Sequence, residues 1–354
     1  MTILKISLYF FSFLVILTVL LPLIKKDFWV FRVFDYPRLQ KFVIIGFLIA
    51  AWLLLLRDSL IIIDWCIIVF LGVTFIHLFY VILPFTFLGR TMIDRVKAPN
   101  QDTINILVSN VYQYNTSYSK LLALIEKRNP DIIFLVETDQ KWLQAVIGLR
   151  EEYPYYIETP QENTYGLLFY SKLPLKKQEI NFLIDKEIPS IIVDVEYDNQ
   201  NVRIYGLHPT PPVPQENKYS TDRDAEILLI GKMAKEYKDP CIVIGDMNDV
   251  AWSYTTELFL KTSELMDPRR GRGMYSTFNA KQLLLRWPLD HYFLSSHFRL
   301  VDMKVEKTID SDHFPISISL IILREDEADK MEADSENKAL ADEKIKAGLN
   351  GSPR

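Results

Sequence analysis

A chain whose first ninety-nine residues are dominated by Leu, Ile, Phe and Val has few ways to fold in water. Residues 3–24 are apolar apart from one early lysine and small hydroxyls, which is long enough to span a bilayer. A secretory signal would carry a shorter apolar core and a small-residue cleavage site, and none follows. Residues 42–56 are flanked by Lys41 and Arg57, so a shorter span with snorkelling ends fits them. Residues 60–88 form a long run interrupted by Asp64, with His77 and Pro84 further along. Three transmembrane helices are expected over 1–99; two spans and a buried hairpin is the alternative. Asp64 lies near the start of its segment, so an interfacial place is expected rather than a polar site within the membrane. His77 reads as a packed or interfacial histidine.

With three spans, the 25–41 loop and everything after residue 88 share one side. That side carries Lys25, Lys26, Arg32, Arg38, Lys41, Arg90, Arg95 and Lys97, against Lys5 and Arg57 on the other. The positive-inside rule then puts the large domain in the cytoplasm.

After a polar stretch at 96–103, residues 100–323 read as one globular domain of mixed strands and helices. Its most informative piece is CIVIGDMND at 241–249: a short β-branched run, the mark of a buried strand, ending on Gly245 and delivering Asp246 and Asn248. Gly, Asp and Asn are also ordinary turn formers. The pattern recurs, however. Apolar strands end at Asn110, Glu137 and His208, and others start beside Asp290 and beside Asp312 with His313. If those ends converge, carboxylates, amides and imidazoles meet in one cleft. Crowded carboxylates repel unless a cation sits among them, and hard oxygen donors suit Mg²⁺, Mn²⁺ or Ca²⁺ rather than zinc, with Mg²⁺ or Mn²⁺ the cofactor expected. The two cysteines, Cys66 and Cys241, form no zinc spacing, and no Gly-x-Ser-x-Gly elbow is present. A divalent ion with a general base and phosphate-binding donors is equipment for hydrolysing a phosphate ester with water.

Asn110 after a strand, LVE at 135–137, GLH at 206–208, GDMND at 245–249, LDHYFLS at 289–295 and SDHFPI at 311–316 together resemble the endonuclease/exonuclease/phosphatase superfamily. The resemblance covers about 104–323. It implies an α/β (α+β) fold, a two-sheet DNase I-like sandwich with helices outside, here preceded by the membrane region. It also implies roles. Glu137 would be the main metal ligand, with Asn110 beside it and Asp312 completing the shell. Asp246 would position or deprotonate the attacking water, and Asn248 would hold a phosphoryl oxygen. His313 would stabilise charge on the phosphate, oriented by Asp290, and His208 would serve the leaving group. The proline-rich HPTPPVP at 208–214 resembles the membrane-attached bacterial branch, which includes glycopeptide-resistance proteins assigned to polyprenyl pyrophosphates. That branch carries its catalytic domain outside the cytoplasm, against the charge count, and the side stays open between the two readings.

The partners expected are therefore a lipid bilayer and a phosphorylated, lipid-linked substrate, with Arg223 and Arg270 of the RRGR run as candidate head-group ligands. Residues 100–323 hold 24 basic and 31 acidic side chains, which fits poorly with a nuclease that gains affinity by neutralising phosphates. A nuclease remains the rival enzyme, and an inactive membrane-tethered binding module the rival of another class. Residues 324–354, with 9 acids, 6 bases and no aromatics, read as a disordered tail or a frayed helix.

Overall fold

The computed structural model describes residues 2–97, 102–323 and 330–351. Its N-terminal part contains α1 (Thr2–Leu20), a single turn α2 (Trp29–Arg32), α3 (Arg38–Leu55) and α4 (Ile62–Ile82). Three segments, Ile3–Leu23, Arg38–Leu55 and Ile62–Phe85, are long and apolar enough to cross a membrane. They pack through Val15, Ile45, Trp52 and Leu71, while Phe10, Phe47 and Val69 face outward without protein cover. A helix apolar on all sides suits a lipid solvent. Asp64 lies in the first turn of α4, where it accepts from the Ile61 N–H at 2.8 Å. It is fully buried, paired with Lys5 at 2.5 Å and with the Tyr9 hydroxyl. The acid thus ties α1 to α4.

The rest is a two-sheet sandwich. Its elements are β1 (Ile104–Asn110), α5 (Tyr118–Arg128), β2 (Ile132–Val136), α6 (Gln140–Val146), β3 (Tyr155–Thr159), β4 (Leu167–Ser171), β5 (Leu175–Asn181) and β6 (Ser190–Tyr197). There follow β7 (Gln200–Leu207), α7 (Thr221–Glu236), β8 (Cys241–Asp246), α8 (Tyr254–Ser263), β9 (Asp290–Leu294), β10 (Phe298–Val305), β11 (Ile316–Ile322) and α9 (Ser335–Leu349). One sheet runs β10-β11-β1-β2-β4-β3 and the other β5-β6-β7-β8-β9. Between them lie Ile106, Phe134, Ile204, Ile244 and Tyr292. Helices α5 and α6 cover the first sheet's outer face, and α7, α8 and α9 the second's. Central strands such as IIFLV and CIVI are buried on both faces, which is why they are continuously apolar rather than alternating.

Two boundaries differ from expectation. The polar stretch at 96–103 does not begin where packing ends: Met92 and Ile93 join the intersheet core, and the Val96 N–H bonds the Leu300 carbonyl at 2.9 Å. Pro99 falls outside the described residues. The tail, read as disordered or a frayed helix, contains α9, whose Ala341 and Ile345 pack against the α7 side of the sandwich. Lys344 of α9 is buried, 2.7 Å from Asp27 and 2.9 Å from Asp224. Its acids are far away in sequence, so local composition carried no sign of them.

The N-terminal helical region and the sandwich share a core. Phe85 packs with Val250, Ala251, Trp252 and Leu289, and Tyr36 and Val81 join them. The Trp252 indole N–H donates to the Asp35 carbonyl at 2.8 Å.

Candidate active site

Strand directions bring the polar ends together. β1 runs parallel to β2, and β7 parallel to β8, so Asn110, Glu137, His208 and Asp246 all lie at carboxyl ends. β9 runs antiparallel to β8 and starts with Asp290 opposite Asp246. β11 runs antiparallel to β1, which returns Asp312 and His313 to the same end. All eight cleft residues expected from the sequence are gathered there. Gly245 makes the turn feasible: its φ is +132°, and a Cβ would lie 2.0 Å from the Leu207 carbonyl oxygen. Tyr112, Glu137 and Asn248 also hold left-handed φ values of 58°, 59° and 49° at this rim. Such conformations are costly for non-glycine residues and collect at functional sites.

Asn110 is fully buried and organises the acids. Its Nδ2 donates to Glu137 Oε1 at 2.7 Å and to Asp246 Oδ2 at 3.0 Å, while its Oδ1 accepts from the Tyr112 N–H at 2.9 Å. The amide thus clamps the two carboxylates together and lies beside Glu137, where it was expected to contact metal or phosphate. Burial raises the Glu137 pKa to about 7, against the lowering effect of Asn110 and with Asp312 and Asp246 adding to it. Burial likewise raises Asp246, with Asp290 adding and the His313 and His208 rings opposing.

His313 sits between two acids, Nδ1 at 2.8 Å from Asp290 Oδ2 and Nε2 at 3.5 Å from Asp246 Oδ2. Burial by itself would lower its pKa; the two carboxylates overcome that and lift it to about 10, so the ring is an imidazolium at neutral pH. His208 is the opposite case. Burial lowers it to about 4, and Asp246, 3.9 Å away, is too weak a partner to reverse this. One cleft thus holds a charged and a neutral imidazole.

Asn248 is held on four sides. Its N–H donates to Asp246 Oδ1 at 2.9 Å and its Nδ2 to the Pro209 carbonyl at 2.9 Å; its own carbonyl accepts from Arg223 Nη1 at 2.7 Å and the Tyr36 hydroxyl at 2.9 Å. Asn248 itself lines the cleft.

The two arginines expected to bind a head group are elsewhere engaged. Arg223 is buried against Asp224 at 2.8 Å and Asp249 at 3.4 Å, and reaches the site only through the Asn248 backbone. Arg270 pairs with Glu257 at 2.7 Å beside Phe85, and Arg269 is buried on Asp267 and His291. Neither lines the cleft. Asp249, which shares Arg223, and Glu257, which pairs with Arg270, lie away from those arginines in sequence, so the pairing was not legible beside them.

The cleft measures about 600 Å³, with Glu137, His208, Asn248, Asp312 and His313 on its floor. Its walls are apolar. Pro211, Pro212 and Val213 form one, Phe278, Leu285 and Trp287 another, and Val33, Phe34, Tyr36 and Pro37 a third. That third wall comes from the segment joining α1 to α3 and was missed from the sequence, where the 25–41 loop stood out only for its bases. Its one other signal was the aromatic and proline content of FDYP at 34–37.

The donor set fits a divalent cation. Glu137, Asp246 and Asp312 repel one another in a buried setting, and they offer hard oxygens. Asp290 Oδ1 and His208 Nδ1 are buried atoms without a hydrogen-bond partner. Ligand atoms of Asp246, Asp290 and His313 lie within 4.8 Å of one another, but the imidazolium itself supplies the positive charge there. The need for a cation is therefore sharpest at Glu137.

Comparison with known proteins agrees with this architecture. The profile of the Endonuclease/Exonuclease/phosphatase family matches residues 103–313. Among solved structures, D. rerio TDP2 complexed with single strand DNA product aligns at a TM-score of 0.54 and 17% identity, over 62% of this chain and 100% of that one. Humanized D. rerio TDP2 aligns at 0.53 and 16%, covering 62% and 99%. An endonuclease/exonuclease/phosphatase family protein from Bacteroides thetaiotaomicron aligns at 0.50 and 16%, covering 63% and 98%. At these identities the likeness concerns the fold. No curated protein sequence matches significantly.

Proposed function

Since this chain belongs to the Endonuclease/Exonuclease/phosphatase family, and is thus a metal-dependent hydrolase of phosphate ester bonds, we propose that it is membrane-anchored and acts on a lipid-linked phosphate ester or pyrophosphate, such as a polyprenyl pyrophosphate. The observation that carries this reading is the cleft's make-up. A polar floor suited to a phosphate lies under apolar walls, and one wall is the segment between two membrane-length helices. A substrate with a charged head and a hydrocarbon body matches both surfaces at once.

Glu137 and Asp312 would hold Mg²⁺ or Mn²⁺, with Asp246 behind them, and the bound ion would neutralise charge on the phosphoryl oxygens. Asp246, its pKa raised by burial, takes a proton from the attacking water. Asn248 donates its free amide hydrogen to a phosphoryl oxygen. The His313 imidazolium, fixed by Asp290, donates to the charge that grows as the water oxygen bonds to phosphorus. The phosphorus–oxygen bond to the leaving group breaks on the side served by neutral His208, and the departing oxygen recovers a proton from solvent or from a protonated site group. Asn110 keeps Glu137 and Asp246 in register throughout.

The nuclease alternative draws on fold likeness to a DNA-bound protein. Against it stand the surplus of acids over residues 100–323 and cleft walls built from proline and aromatic residues rather than lysine and arginine. An inactive binding module would be expected to lack part of the acid, amide and histidine set, and here the set is whole. The test is phosphate release by the full chain in detergent, comparing a polyprenyl pyrophosphate, phosphoinositides, sphingomyelin and DNA with Mg²⁺ and Mn²⁺. Lipid pyrophosphate turned over well ahead of DNA is expected; preference for DNA overturns the proposal.

A further inference from the structure

Between the Phe278–Trp287 bridge and its tip, the chain forms a hairpin whose two ends do different things. At the base, Phe278 lies against the His313 ring, with centroids 4.9 Å apart, and the Ala280 N–H bonds the Asp312 carbonyl at 2.6 Å. At the tip, Leu283 and Leu284 are each 79% exposed. The tip has a fixed shape: the Gln282 N–H bonds the Asn279 carbonyl at 3.1 Å, and Arg286 Nε the Gln282 carbonyl at 2.6 Å. It also has a fixed place. Gln40 Nε2, in the first turn of α3, donates to the Leu284 carbonyl at 2.7 Å. Two leucines held open beside the start of a membrane-length helix are misplaced in water. Lys281 and Arg286 flank them, where bases would meet anionic head groups.

We propose that the 281–286 tip is seated in the bilayer surface, with Leu283 and Leu284 among the acyl chains, and that it forms one lip of a lateral passage from the membrane to the cleft. The opposite lip is the 33–37 segment, for Tyr36 meets Trp287 edge-on, with ring centroids 5.8 Å apart, at the cleft wall they share. The occupant of the exposed tip is the hydrocarbon of the lipid bilayer, continuous with that around α3. The passage, unlike the insertion, rests on the lipid-substrate reading.

Two measurements separate these parts. The full chain carrying Cys66→Ser and Leu284→Cys is labelled with an environment-sensitive nitrobenzoxadiazole, using the buried Cys241 as the silent thiol, and placed in phosphatidylethanolamine–phosphatidylglycerol nanodiscs. Nitroxides on the lipid acyl chains should quench this probe strongly, and a probe at exposed Lys238→Cys hardly at all. Equal quenching at the two positions overturns the insertion, whatever the substrate is. Separately, Leu283→Ser with Leu284→Ser should raise KM for polyprenyl pyrophosphate in vesicles on the order of tenfold. Turnover of water-soluble bis(p-nitrophenyl) phosphate should stay unchanged. An unaltered KM overturns the passage while a quenched probe still upholds insertion. A wild-type chain that cleaves the soluble ester but no lipid phosphate defeats the substrate reading, and the quenching result then stands alone.

Discussion

The Asp290–His313 pair offers the sharpest test of how the site works. In the metal-free protein the ring is lifted from 6.5 to about 10 against the pull of burial. At about 1.4 kcal/mol per pH unit, that is roughly 5 kcal/mol in favour of the imidazolium. Asp290 is the nearer acid, at 2.8 Å against 3.5 Å for Asp246, and Asp290→Asn removes its charge while keeping the side chain's shape. Burial then acts on the ring with one carboxylate opposing it, so the pKa should fall to about its ordinary 6.5 or below. The sign follows: the raised pKa keeps the active, charged form present below about pH 10 and loses it above. Asp290→Asn moves that loss down to about neutrality. At pH 8 the variant should therefore be about thirty-fold slower than wild type, recovering most of the deficit at pH 6. His313→Ala lacks the donor at every pH and should lose on the order of 100- to 1000-fold in kcat. The assay is a pH–rate profile for each single and the double variant, with ¹⁵N-imidazole NMR of His313 in chelator as the direct reading. The double variant should be no worse than His313→Ala, since both changes act through one ring. A double loss equal to the product of the two single losses would refute the coupling.

Two other outcomes are expected. Glu137→Gln should abolish turnover yet melt at or above the wild-type temperature without metal, because it removes a buried charge whose pKa is pushed up to about 7; saturating Mn²⁺ should raise the Tm of wild type and not of the variant, in a thermal shift assay. Asp224→Ala should cost about 3–5 kcal/mol in detergent-based denaturant unfolding, since it strands Arg32, Arg223 and Lys344 around one emptied position; a loss under about 1 kcal/mol would mean water reaches the cluster.

Much of the candidate site was legible because its side chains sit at or near the ends of largely apolar strands. GDMND, LVE and SDHFPI advertise both the strand and the residue it delivers. The three membrane-length helices were legible from length and apolarity alone. Elements with little apolar content to announce them were not. Strand β5, LKKQEIN, is an edge strand with a mostly exposed, charged surface, and α9 has only a narrow stripe through Ala341 and Ile345. Harder still were contacts made between distant pieces. Nothing around Tyr36 says that it will bond the Asn248 carbonyl, and nothing around Arg223 says that Asp249 will share it with the neighbouring Asp224. Arginines look like ligands for anions in a sequence; which anion is decided by tertiary packing.

The cluster at Asp224 has a consequence for how the protein is made. Its three cations come from Arg32 before the second long helix, Arg223 beside it, and Lys344 in the last helix. Arg223 also braces the Asn248 carbonyl, so the cleft's shape depends on that cluster. During synthesis the acid and two of its partners leave the ribosome more than a hundred residues ahead of the third. Until the segment holding Lys344 has been made, Asp224 has Arg32 and Arg223 for partners and lacks the third cation that completes the cluster around it.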